Sequence, residues 1–426
     1  AHQLPETATL FFGETVSTSQ IIELCRDVLA EGLSHARDGA DWSQLSGAVE
    51  RAARDLRLTF PQDSVKLAAH QIAPSSPFFP ALEAVQDELA ALIEVLEDQA
   101  QRAETLEQCR VRAVELAARL GAWTAGGEQA ASDPDKVLWV EAYASSLQLH
   151  QTPLSIAPIF SKQREGPPRS WIFASATLAV KNDFNHYTAQ MGMMNESART
   201  WPSPFDYGNQ GLLYVPTEMP QANAPNYTDA VIDAALPVIE AAGGRAFLLC
   251  TTIRAVNRAA ERLREEFEQR GLPFPLMVQG ESGRTELLDR FRAAGNAVLI
   301  GSQSFWEGVD VRGEALSVVI IDKLPFAPPD DPVLAARIAA LEKKGLNGFV
   351  HHQLPSAIIN LKQGAGRLIR DETDRGVLMI CDTRLITKPY GRRIWQSLPA
   401  FKRTRDLEQV RAFFAPSVAA LTSEAE

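Results

Sequence analysis

Gly243-Gly244-Arg245-Ala246-Phe247-Leu248-Leu249-Cys250-Thr251-Thr252 is an apolar run framed by glycines before it and hydroxyls after it. The run does not alternate between polar and apolar residues. The strand it predicts must therefore be buried on both faces, as strands of a helix-covered parallel sheet are. Helical patterns flank it, one over about 228–242 and one from about Ile253 to Arg270. Similar runs recur at Ala297-Val298-Leu299-Ile300, Val318-Val319-Ile320-Ile321 and Gly376-Val377-Leu378-Met379-Ile380. Strands alternating with helices predict an α/β fold around a parallel sheet. Ligands of such sheets bind beyond the carboxyl ends of the strands, so the loops after these runs are where chemistry is expected.

One such region is Gln363-Gly364-Ala365-Gly366-Arg367-Leu368-Ile369-Arg370, in a stretch that reads as a helix from about Ser356 to Arg370. On that helix Gln363, Arg367 and Arg370 fall at i, i+4 and i+7 and share a face, beside the small Gly366. Two guanidinium groups and an amide on one face suit a phosphate that carries charge in a transition state. An amphipathic helix with a solvated basic edge accounts for the segment equally well. Two further strand-like runs end in small and polar residues. Ala297–Ile300 leads to Gly301-Ser302-Gln303-Ser304-Phe305-Trp306-Glu307-Gly308-Val309-Asp310, and Trp171-Ile172-Phe173 leads to Ala174-Ser175-Ala176-Thr177-Leu178.

The order SATL, FWEGVD, QGAGRLIR, with Lys323-Leu324-Pro325-Phe326 before the last, resembles the late motifs of superfamily 2 helicases. The spelling is similar to the Rad3/XPD-like group and its DinG/YoaA branch, on the YoaA side, along nearly the whole chain. The resemblance implies an ATP-dependent DNA helicase that moves 5′ to 3′ on single-stranded DNA in repair or replication-fork rescue. It implies ATP and Mg2+ as cofactors and an iron–sulfur cluster upstream of this chain. It also brings in single-stranded or forked DNA and a replicative polymerase accessory subunit as partners, and a cytoplasmic, nucleoid-associated setting.

Site roles follow from the same resemblance. Arg367, Arg370 and Gln363 match the catalytic positions. Gly366, Glu307, Gly308, Asp310 and His2 match the nucleotide-binding side. Ser175, Ala176 and Thr177 match the motif that couples hydrolysis to movement. Thr251, Thr252, Arg254 and Trp306 match DNA contacts. Read as residues alone, Thr252 could be an ordinary helix cap and Trp306 a core side chain.

The chain opens Ala1-His2, the last two residues of the family's Asp-Glu-Ala-His motif, and contains no Gly-x-x-x-x-Gly-Lys-Ser/Thr phosphate loop. It is expected to be the carboxyl-terminal part of a longer helicase, catalytically incomplete alone. A non-catalytic single-stranded DNA-binding or regulatory module is the alternative. The four cysteines, Cys25, Cys109, Cys250 and Cys381, have no metal-ligand spacing and are read as buried thiols. No metal site is expected, and no apolar run is long enough to span a membrane. The net charge of −11 excludes a histone-like binder and leaves DNA contact to a local basic track.

Four segments are expected. Residues 1–13 would end the first RecA-like domain. Residues 14–135 would form an all-helical Arch-type insertion, with helices from Thr18 or Ser19 to Arg37, from Trp42 to Leu58, and a protruding arm or hairpin from Pro80 to Trp123. Residues 136–185 would return to the motor sheet and carry SATL. Residues 186–426 would be a connector and the second RecA-like domain.

Overall fold

A computed structural model describes residues 2–61, 64–129, 135–167, 169–193, 197–302, 305 and 315–415. The chain divides into two compact units. The first comprises Ala1–Phe173, Tyr187–Glu196 and Ala327–His351, and the second Ala174–His186, Ser197–Phe326 and His352–Glu426.

The first unit is not all-helical. Strands β1 (Glu14–Ser17), β2 (Val65–Ala68), β3 (Lys136–Ala142) and β4 (Leu147–Pro153) form an antiparallel sheet in the order β1-β4-β3-β2. Residues 136–153 therefore do not return to a parallel sheet. The physical reason is the short link between β3 and β4, closed by the Tyr143 N–H donating to Ser146 O at 2.8 Å. A hairpin connection of that length can join only antiparallel strands. Residues 4–11, in the segment expected to end the first RecA-like domain, form a helix, Leu4–Phe11, with Pro5 in its first turn.

Helices Thr18–His35, Trp42–Leu58, Phe78–Gln99 and Glu104–Gln129 pack beside this sheet. The cap of the first is Ser17, not Thr18 or Ser19. Its hydroxyl accepts from the Gln20 N–H, and the Gln20 side chain accepts from the Ser17 N–H. Thr18 instead uses its hydroxyl to accept from the Leu147 N–H at 3.0 Å, tying the helix to β4. The expected long run from Pro80 to Trp123 is broken at a 3-10 turn, Ala100–Arg102, into two helices. Neither protrudes as an arm: Leu89, Leu92, Leu106 and Leu120 share one buried core with Trp42, Val49, Val140 and Leu149. The helix Pro332–Lys343 also belongs to this unit, through Arg337 donating to Leu154 O at 3.2 Å and to the Thr9 hydroxyl. The boundaries at 135 and 186 are thus not those of the fold.

The second unit carries a seven-stranded sheet in the order β11-β5-β10-β9-β6-β8-β7. Its strands are β5 (Gly211–Tyr214), β6 (Ala246–Leu249), β7 (Leu276–Val278), β8 (Val298–Gly301), β9 (Val318–Ile321), β10 (Gly376–Ile380) and β11 (Lys402–Thr404), all paired in parallel. The four runs read as buried strands are β6, β8, β9 and β10, each buried along its whole length. Helices Tyr227–Ala241 and Ile253–Arg270 cover one face through Ile232, Leu236, Val256 and Leu263. On the other face the ring of Phe247 meets Phe291 of the Arg284–Ala294 helix at 4.7 Å. Trp171-Ile172-Phe173 does not form the expected strand. No described strand lies beside it to take its backbone hydrogen bonds, and Ile172 is 88% exposed.

Close packing at Gly32 gives a test of the first unit. A Cβ added there would lie 2.3 Å from the indole of Trp42, which is itself fixed by donation to Ala36 O at 2.7 Å. Gly32→Ala should therefore destabilise by about 1–3 kcal/mol, against the gain of about 1 kcal/mol that helix propensity alone predicts. Urea unfolding followed by circular dichroism decides the sign, and a stabilised variant would refute the packing argument.

Candidate functional site

Helix Leu354–Ala365 ends earlier than its sequence suggests, so Gln363, Arg367 and Arg370 do not share one continuous helical face. Gly364 and Gly366 weaken the last turn, and the Arg367 and Leu368 N–H groups bond three residues back, to Gly364 O and Ala365 O. The chain beyond is held by a buried carboxylate. Asp374 Oδ2 accepts from the Arg370 N–H at 2.7 Å and from the Asp371 N–H at 2.8 Å. The Gln210 amide donates to the carbonyls of Asp371, Glu372 and Asp374 at 2.9 to 3.0 Å. At the next residues the backbone runs so close that a Cβ on Gly376 would stand 2.5 Å from Leu368 and from Ser317 O. Arg367 is 8% exposed and Arg370 half-buried.

Gln363 reaches the SATL segment. Its amide donates to the Thr177 hydroxyl, and the Thr177 N–H donates to Ser175 Oγ at 3.3 Å. Lys362, the neighbouring residue, donates from Nζ to Ala179 O at 3.0 Å. Burial of that ammonium pushes its pKa down. Thr177 is buried while Ser175 and Ala176 are exposed. The end of this helix therefore grips residues 177–179, and two motifs separated by 186 residues become one constellation.

A second constellation lies at the carboxyl edge of the sheet. Thr252 caps the Ile253–Arg270 helix, its hydroxyl accepting from the Ala255 N–H at 3.1 Å. Arg254 is exposed in the first turn. Thr251 is taken up differently. Its N–H at 3.1 Å and its hydroxyl at 3.3 Å both donate to Asp322, which also accepts from the Lys323 N–H at 2.5 Å. Deep burial pushes the Asp322 pKa up to about 6, against the pull of these donors. Next to it, Asp382 holds the Arg384 guanidinium at 2.6 Å and accepts from the Leu324 N–H at 2.9 Å. Tyr227 closes the cluster, donating to Asp322 O at 2.9 Å with its ring 4.7 Å from Lys323 Nζ.

His2 sits half-buried in a turn of the first unit, before the Leu4–Phe11 helix. Trp306, Glu307, Gly308 and Asp310 lie outside the described residues. Phe305 is buried, with the Arg284 guanidinium 5.5 Å from its ring, which assigns it to packing. Sequence reasoning missed Gln210, Asp322, Asp374, Asp382 and Arg384. A carboxylate that ends a buried apolar strand, as in Ile321-Asp322 and Cys381-Asp382, was the available signal. All four cysteines are buried free thiols, and burial raises the pKa of Cys250 and Cys381 well above the usual value. Among the described residues no grouping of His, Cys, Asp or Glu could hold a metal ion.

The helicase C-terminal domain family matches residues 235–401, which include both constellations apart from residues 175–179, Gln210 and Tyr227. YoaA of Escherichia coli (strain K12), described as an ATP-dependent DNA helicase, is 38% identical over 415 residues, covering 97% of this chain and 64% of that protein. This chain resembles the DinG/YoaA helicases. DinG of Mycobacterium tuberculosis (strain ATCC 25618 / H37Rv), described as an ATP-dependent helicase, is 35% identical over 290 residues, 66% of this chain and 42% of that protein. A solved XPD helicase superposes on 95% of the chain and 67% of its own length, with a TM-score of 0.58 at 15% identity, and so shares the fold. The chain thus spans under two thirds of the DinG/YoaA proteins it matches.

Asp322 makes the second constellation testable. Its folded pKa lies above the unfolded carboxylate value, so its contribution favours folding at low pH and is lost as pH rises from about 4 through about 6. Asp322→Asn removes that contribution. The stability difference, wild type minus variant, should grow by on the order of 2–3 kcal/mol between pH 7 and pH 4. Urea midpoints of both proteins across that range check this, and a pH-independent difference would rule it out.

Proposed function

We propose that this chain is the carboxyl-terminal working part of an ATP-dependent DNA helicase of the DinG/YoaA type. It would move 5′ to 3′ along single-stranded or forked DNA in repair or replication-fork rescue. The observation that carries the reading is the grip of Gln363 and Lys362 on Thr177 and Ala179. A motor must transmit the state of its nucleotide to its DNA-binding loops, and a direct hydrogen bond between the arginine-bearing segment and the SATL segment is a short physical route for doing so.

In this reading Arg367 and Arg370 neutralise charge on the transferring phosphoryl group. Their backbone is fixed beforehand by Asp374 and Gln210, so little reorganisation is needed when charge develops. Gln363 orients the phosphate or its attacking water and reports to Thr177. Gly366 keeps the turn narrow, and Glu307, Gly308, Asp310 and His2 complete the nucleotide side. Thr252 and Arg254 present a capped helix start to a DNA phosphate, while Thr251 holds that start to β9. Trp306 would stack on a base. Ser175 and Ala176 move with Thr177.

ATP supplies the phosphoryl group and the free energy. In this reading Mg2+ would accompany the ATP; among the described residues no grouping of His, Cys, Asp or Glu could hold a metal ion. The unit that carries the seven-stranded sheet would supply the second RecA-like domain. The helical part of 14–135 would correspond to the Arch. A polymerase accessory subunit and a cytoplasmic, nucleoid-associated setting complete the proposal. The alternative, a non-catalytic single-stranded DNA-binding or regulatory module, is favoured by the lack of a Gly-x-x-x-x-Gly-Lys-Ser/Thr loop.

ATP hydrolysis, with and without single-stranded DNA, separates the two. The chain alone should be inactive. A form extended by the upstream region of the relatives should show DNA-stimulated turnover, lowered by roughly 10³-fold on Arg370→Ala. Inactivity of the extended form would leave the binding-module reading. Turnover by the short chain would contradict the assignment of the missing groups.

A Gln363→Ala substitution in the extended form tests the transmission route separately. It should lower basal hydrolysis and lower DNA-stimulated hydrolysis by a clearly larger factor. Equal loss of both rates would mean that the contact with Thr177 serves only the nucleotide side.

A further inference from the structure

Residues 384–405, Arg-Leu-Ile-Thr-Lys-Pro-Tyr-Gly-Arg-Arg-Ile-Trp-Gln-Ser-Leu-Pro-Ala-Phe-Lys-Arg-Thr-Arg, contain seven Lys or Arg and no Asp or Glu, in a chain of net charge −11. Part of that charge gathers at one groove of about 430 Å³, between the end of the Arg384–Thr387 helix, the Gly391–Trp395 helix and β11. Its walls include Ile386, Lys388, Arg392, Trp395, Gln396 and Arg403. The indole of Trp395 is fixed by donation to Leu385 O at 2.7 Å. Above it lies the Arg403 guanidinium, 4.8 Å from the ring, also donating to Trp395 O at 3.4 Å.

These cations lack carboxylate partners. Elsewhere in the same unit arginines are neutralised: Arg258 by Asp229 at 2.8 Å, Arg262 by Glu266 at 2.6 Å, Arg270 by Glu240 at 3.1 Å and Arg411 by Glu408 at 2.6 Å. Among the described residues Lys388, Arg392 and Arg403 have no carboxylate within ion-pairing distance. Three like charges around one groove repel each other and gain from an anionic occupant.

We propose that this groove binds the phosphate backbone of single-stranded DNA, as a contact separate from the Thr251–Arg254 helix start. The inference rests on the DNA-binding reading above. The groove is open, which suits an extended polyanion. It joins unpaired cations to an immobilised aromatic, the combination used by sequence-tolerant single-strand binders. Its residues follow the carboxyl end of β10, on the same edge of the sheet as Thr251 after β6. The groove reaches β11, which in the order β11-β5-β10-β9-β6 stands four strand spacings, or about 19 Å, from β6. Lys323 follows β9, so a strand of DNA running along that edge also passes this cation.

The test is fluorescence anisotropy of labelled oligo-dT with the whole chain, from 50 to 300 mM salt. The variants are Lys388→Ala/Arg392→Ala, exposed and outside the core, and Arg254→Ala at the helix start. Circular dichroism melts check that all three proteins fold. The double variant should weaken binding several-fold at low salt and reduce the salt slope by roughly 1.4, at about 0.7 per cation removed. If Arg254→Ala weakens binding and the double variant changes neither affinity nor slope, the groove proposal falls and the DNA reading stands. If the wild-type chain binds no oligo-dT at any salt, the DNA reading fails and takes the groove with it. A double variant that keeps DNA affinity but loses binding to a polyglutamate peptide would assign the groove to an acidic protein and overturn the proposal.

Discussion

Burial of the seven-stranded sheet on both faces is the constraint from which the second unit follows. Strands β6, β8, β9 and β10 present no polar side chain to either face, and every backbone group between them is paired within the sheet. Polar chemistry is thereby expelled to the strand ends. Thr251, Asp322 and Asp382 each stand directly after an apolar strand. Their mutual hydrogen bonds are the means by which three adjacent loops are held in register beyond the sheet edge.

The same constraint explains why carboxylates do so much structural work here. A buried Asp is costly unless donors surround it. Asp322, Asp374 and Asp382 all accept from backbone N–H groups, so each converts a loop into a fixed turn. The loop at Asp374 carries Arg370 and Arg367, and the Asp322 carboxylate clasps Thr251 just before the Thr252-capped helix. The elements that would touch phosphate are thus preorganised by carboxylates that do not touch it themselves.

In the first unit packing replaces polar chemistry. A helical bundle and a small antiparallel sheet share one core, and the contact of Gly32 with Trp42 sets how closely two helices approach. The sequence marked these helices well because their apolar residues recur at helical spacing. It misled at the arm and at residues 136–153. Periodicity reports that a face is buried, without saying against what, and short strands read alike in parallel and antiparallel sheets.

The parallel sheet, its four buried apolar strands and the helicase resemblance were written in the amino-acid sequence, because continuous hydrophobicity and ordered motifs are local properties. The pairing of Gln363 with Thr177, the clasp of Thr251 by Asp322 and the gathering of Lys388, Arg392 and Arg403 around Trp395 were not. These residues lie from a few to 186 positions apart, and only the folded chain brings their side chains together. Helix Leu354–Ala365 shows the division in one element: periodicity gave its face, and a carboxylate beyond its end decided where it stopped.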